Sequence, residues 1–141
     1  MTDPQQQASL EALADTLSAC ADALHRRLMR ALRRPAPGGA LPGLSHGVAQ
    51  ALFENELALR QRANTLYLDA AVLAAGGLQA PQQQLTELSA RAARIIARLD
   101  RVKDLADLAG ELIASGAALV TGKPEHILPA LEKLKHRIED L

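Results

Sequence analysis

This chain has almost no aromatic residues: one Phe, one Tyr and no Trp in 141 residues. It therefore lacks the stacking platforms on which single-stranded nucleic acids are bound. It has no net charge either, because sixteen basic and sixteen acidic side chains cancel. A neutral chain lacks the positive field of a dedicated nucleic-acid binder, so nucleic acid is not an expected partner. Cys20 is the only cysteine, which excludes an intrachain disulfide and a cysteine-based zinc site. Flanked by Leu17, Ala21 and Leu24, it reads as a buried small hydrophobe. Uncharged apolar runs of membrane-spanning length are missing too. The closest stretch, Leu105 to Val120, contains Asp107 and Glu111. The opening MTDPQQQASLEALAD has no basic region and no apolar core, so it does not read as a secretory signal, and the expected compartment is the cytoplasm.

What the chain does have is alanine and leucine. Apolar residues make up 48%, too many for a disordered chain. Ala and Leu are strong helix formers and poor strand formers. The expected fold is all-α: an antiparallel helical bundle of three long helices plus one short C-terminal helix, in a single domain spanning 1–141.

Local signals place the helix ends. Asp3-Pro4-Gln5-Gln6 supplies a capping carboxylate followed by a proline at the first helical position. The first helix should run over about 3–34, with Leu10, Ala14, Leu17, Ala21, Leu24 and Leu28 on its apolar face, and end at the Pro/Gly-rich loop 35–44. Ser45 caps an expected second helix, 45–75, which Gly76-Gly77 terminates. Asn55 falls on the apolar seam of that helix, where a lone polar residue commonly fixes register.

A third helix is expected over about 82–121. Its seam (Leu85, Leu88, Ala92, Ile95, Leu99, Val102, Ala106, Ala109, Ile113, Gly116, Val120) alternates steps of three and four, the 3.5-residue average of helix-to-helix packing. At 1.5 Å per residue it would be about 60 Å long. Gly122 and Pro124 then separate it from a short helix, 124–141, in which Pro129 predicts a kink or a late start.

Leu105, Leu108, Leu112 and Leu119 form a second apolar stripe on the third helix. Burial inside the bundle is the first explanation for it. Contact with another chain is the sharper one, and the excess length of the helix favours it. Charge divides the same helix. Arg91, Arg94, Arg98 and Arg101 precede Asp100, Asp104, Asp107 and Glu111. Two copies laid antiparallel about residue 101 would set Arg91 against Glu111 and Arg98 against Asp104, as a two-fold dimer requires. A solvated face with local pairs is the alternative. Ala106, Gly110, Ala114 and Ala118 recur every fourth residue, a row that reads first as close packing or an exposed alanine face.

Arg26, Arg27, Arg30, Arg33 and Arg34 crowd the end of the first helix. They complement its macrodipole, and as a second reading they would hold an anionic surface. No catalytic constellation can be assembled from spacing. A di-metal bundle site needs paired Glu-x-x-His motifs, whereas the chain offers Asp22-x-x-His25 once, and Glu132 with His136. No metal and no cofactor are expected. The expected function is a non-catalytic protein-interaction module that self-associates through its third helix, or binds another helical protein. Its contact would use Leu105, Leu108, Leu112 and Leu119, registered by Arg91, Arg98, Asp104 and Glu111. The alternative is a peripheral membrane-binding protein that uses its Ala/Leu-rich helices and the Arg26–Arg34 cluster.

Overall fold

The computed structural model describes residues 4–33 and 39–141. Six helices follow in order: α1 (Pro4–Leu32), α2 (His46–Leu68), α3 (Ala70–Ala75), α4 (Gln79–Ile96), α5 (Val102–Thr121) and α6 (Pro124–Glu139). The all-α class stands, and among the described residues there is no strand. The count of three long helices plus one short does not, because two of the expected long helices are interrupted. The Asp3 cap and Arg34 lie outside the described residues.

Most of the punctuation is local and as expected. Val48 N–H donates to Ser45 Oγ at 3.2 Å, capping α2. Gly122 ends α5 in the left-handed conformation at φ 69°, where a side chain would be strained. Pro124 opens α6, which continues through Pro129 rather than starting there. At Asp69 the backbone leaves helical geometry, with φ −102° and ψ 12°. Hydrogen bonding crosses the bend, since Asp69 N–H reaches Thr65 O and Leu73 N–H reaches Asp69 O, both at 2.9 Å. The expected 45–75 helix is thus α2 and α3 joined at one non-helical residue.

The larger departure is at residues 97–101, where the expected third helix stops and α5 begins in a new direction. Neither glycine nor proline causes it. A straight 82–121 helix would overrun α1, which is about 43 Å long at 1.5 Å per residue, and leave apolar turns in water. Turning at 97–101 lays α5 back along the bundle. Arg101 is extended there, at φ −120° and ψ 127°.

Side-chain pairings give the helix directions. Asp15 meets Tyr67, Asp22 meets Arg60 and His25 meets Glu56, so α2 runs antiparallel to α1. Thr16 meets Ser89 and Arg27 meets the Leu99 carbonyl, so α4 runs parallel to α1. Arg137 meets Glu111 and Ser115 meets the Ala130 carbonyl, so α6 returns antiparallel to α5. In space α1 packs on α2, α2 on α5, α5 on α6, α6 on α4, and α4 on α1, a closed ring. One continuous leucine-rich core fills it, drawing on every helix. Each fully buried leucine contributes about 1.5–3 kcal/mol relative to exposure, so the ring is held chiefly by this burial.

The order of the ring decides which stripe of α5 faces inward. Leu105, Leu108, Leu112 and Leu119 are buried to within 1% of full coverage. Of the 3.5-residue seam, Ala109 and Gly116 are buried with them, while Val102, Ala106, Ile113 and Val120 are only partly buried. The stripe read as a contact for another chain is therefore covered by this chain's own α2 and α6. Gly116 is where α5 meets α2: a Cβ there would stand in ordinary van der Waals contact, 3.4 Å from Arg62 Cβ.

Candidate interaction surface

The arginines grouped by the sequence separate in the structure. Arg27 is 1% exposed and spends its donors on backbone. Its Nε donates to Leu99 O at 2.7 Å, Nη1 to Gly39 O at 2.8 Å and Nη2 to Ala40 O at 3.3 Å. Burial lowers its pKa, neighbouring Arg30 adds to that, and Asp100 opposes both. Arg30 Nη2 donates to Ala97 O at 2.9 Å. Both arginines thus satisfy carbonyls orphaned where α4 ends. Arg27 is a structural bolt and not an anion ligand. Arg26 and Arg33 are exposed.

The antiparallel register about residue 101 required one continuous helix, and the corner removes that premise. Glu111 is engaged within the chain. Arg137 grips it with Nη2 to Oε1 at 3.0 Å and Nε to both carboxylate oxygens at 3.2 and 3.3 Å. Asp107 accepts from Lys103 Nζ at 2.7 Å and lies 3.6 Å from Arg137. The Lys103 hydrogen bond, aided by the positive charges of Lys103 and Arg137 and opposed by partial burial, holds the Asp107 carboxyl below its usual range. Asp104 sits half-buried in the first turn of α5, where a negative charge complements the helix dipole.

Arg91, Arg94 and Arg98 are different. All three are exposed, and among the described residues none has a side-chain ion pair or hydrogen bond. With Ile95, Leu99, Ile138, Glu139 and Leu141 they line an open groove of about 660 Å³ between α4 and the end of α6. The α6 half of this groove was invisible to sequence reasoning. The signal available was the stripe at 91, 94 and 98, and only the fold brings Ile138 and Leu141 beside it.

The remaining candidates are structural. Cys20 is fully buried and donates to Ser89 O at 3.1 Å, and burial pushes its thiol up to about 12. Glu56 joins His25 (2.8 Å) and Arg60 (3.0 Å), and Arg60 reaches Asp22 (2.9 Å), so this cluster ties α1 to α2. Glu132 and His136 pair with each other at 3.0 Å. No group of three or more His, Cys, Asp or Glu is placed to hold a metal among the described residues. Ala106, Gly110 and Ala114 line a smaller groove of about 370 Å³ between α5 and α6. A Cβ on Gly110 would meet nothing within 4 Å, so the row is open there, while Ala106 and Ala118 pack partly buried against the core. Asn55 is half-buried on α2. Among the described residues no helix is long and apolar enough to cross a membrane. Family models, curated proteins and solved structures yield no match to this chain.

Proposed function

We propose that this chain is a non-catalytic helical interaction module that docks an acidic protein surface against the outward face of α4. The observation that carries this reading is the row Arg91, Arg94 and Arg98, exposed, unpaired among the described residues and set beside apolar surface. Several other cations are engaged, though exposed Arg26, Arg33 and Arg101 also have no side-chain partner among the described residues. Arg60, Lys103 and Arg137 each hold a carboxylate within 3.0 Å, and Arg27 and Arg30 are bound to backbone carbonyls.

A second copy of the chain is one such partner, and absolute mass by light scattering after size exclusion, at low and high salt, tests for it. Binding of labelled poly-glutamate at low salt tests the general reading. A dimer or a poly-glutamate complex that weakens with salt and with Arg94→Glu/Arg98→Glu supports the module. A chain that stays monomeric and leaves poly-glutamate free at low salt refutes it.

One observation favours a membrane-surface reading: Leu68 and Val72 are 77% and 75% exposed. They follow Tyr67, which meets Asp15 of α1. Arg30 is fifteen residues further along α1, about 22 Å away at 1.5 Å per residue. The apolar and cationic features are thus separated along the bundle, whereas the groove between α4 and α6 holds both side by side, so this reading ranks second. Flotation with anionic vesicles tests it.

A further inference from the structure

We propose that the groove between α4 and the end of α6 seats an acidic amphipathic helix of a partner protein. The proposal rests on the interaction reading above and names the partner's chemistry. The groove has two halves of different character. Arg91, Arg94 and Arg98 form one rim at steps of three and four, spanning about two helical turns, or about 10 Å. Ile95, Leu99, Ile138 and Leu141 form the apolar floor, and among the described residues Glu139 is the only acidic side chain lining it. Three cations against one carboxylate call for negative charge. The dipole at the end of α4 favours cations on any side of the helix. It does not account for all three lining a groove that also has an apolar floor.

The side-by-side placement of charge and apolar surface selects a helix as the occupant. A strand points successive side chains to opposite faces, so a strand that meets the floor with apolar residues carries its polar ones away from it. A helix places a carboxylate stripe directly beside an apolar stripe. Carboxylates at i, i+3 or i+4, and i+7 then repeat the spacing of the arginines they meet. A free phosphate would engage the rim and leave the floor in water. A nucleic acid would find no aromatic side chain in the groove for stacking. The groove is concave between two helices, which suits a rod-like partner better than a flat bilayer.

The test uses the full chain and three short labelled peptides of matched length, read by fluorescence anisotropy at low and high salt. The first is amphipathic, with leucines on one face and glutamates on the adjoining stripe. The second has the same composition scrambled, so that no face is apolar. The third replaces the glutamates of the first with lysines. The expected result is that the first peptide binds at least about tenfold more tightly than either control. Arg94→Glu/Arg98→Glu and, separately, Leu141→Ser should each weaken it, with circular dichroism showing that both variants remain folded. Equal binding of the amphipathic and scrambled acidic peptides overturns the helix-in-groove proposal and leaves the acidic-surface reading standing. Equal binding of the lysine peptide, or binding unchanged by the arginine reversals, overturns the proposal as well. Failure of every acidic probe, poly-glutamate included, overturns both. A dimer that Arg98→Glu dissociates and that the amphipathic peptide does not displace assigns the groove to a second copy and overturns this occupant.

Discussion

Replacing Arg27 with Met removes the donors at the corner while keeping most of the side-chain volume. Three carbonyls lose their partner, those of Leu99, Gly39 and Ala40. The Gly39 bond is buried and the other two are partly buried, so water can recover some of the loss at Leu99 and Ala40 but little at Gly39. A hydrogen bond from a charged donor contributes about 1.5–3 kcal/mol, and an unsatisfied buried group costs about 1–3 kcal/mol. Counting Gly39 in full and the others in part gives about 3 kcal/mol of destabilisation. At about 2.1 cal/mol/K per residue, this corresponds to about a 10 °C fall in Tm for a chain of this length. Arg27→Lys, with a single ammonium to share among the carbonyls, should fall between the two. The assay is urea denaturation followed by circular dichroism, with exposed Arg26→Met as the control. An Arg27→Met midpoint within about 0.5 kcal/mol of the parent, the range of an ordinary surface change, would refute the reasoning. Hydrogen exchange gives an independent check, because amides at the start of α5 should exchange faster in the variant if Arg27 holds the corner.

Four further predictions follow from single residues. Leu112→Ala should cost about 2–5 kcal/mol in denaturant titration, because Leu112 is fully buried; a loss of association at unchanged stability would instead make it a contact residue. Gly110→Ala should stabilise by about 0.5–1 kcal/mol, raising Tm by roughly 2–3 °C, since Gly110 is inside α5 and open to solvent; a lowered Tm contradicts the geometry. Asp107 has a depressed folded pKa, so its stabilising share is present above about pH 3.9, its unfolded value, and is lost as pH falls through the folded one. Asp107→Asn should therefore flatten the acid limb of the denaturation midpoint, and an unchanged limb would mean the Lys103 and Arg137 contacts contribute nothing. Cys20 should resist thiol reagents at pH 8 in the native chain and react fully in denaturant, given a thiol held near 12 by burial; equal rates would show that it is exposed.

The corner at 97–101 shows where sequence reasoning stops. On one continuous helix, the switch from arginines at 91, 94 and 98 to aspartates at 100 and 104 matches the register of a dimer. It has a local meaning: cations close one helix and carboxylates open the next, the pattern already recognised at the end of α1. The misleading signal was the hydrophobic seam, which keeps its 3.5-residue step straight through Leu99. Periodicity reports which residues can share a face. It does not report whether the helix bearing them is continuous.

The residues themselves determined the helical class, the Ser45 cap, the Gly76-Gly77 and Gly122 stops, the core face of α1 and the burial of Cys20. Each rests on interactions within a few residues of chain, or on composition alone. Tertiary structure decided the rest: the turn at 97–101, the ring in which α6 closes against α4, the choice of Leu105, Leu108, Leu112 and Leu119 as the inward stripe, and the division of the arginines into bolts and a free row. Those outcomes depend on partners far along the chain, such as the Leu99 carbonyl for Arg27 and Ser89 for Thr16. No local preference encodes such a partner, because the free energy that selects it is released only when the distant helices pack.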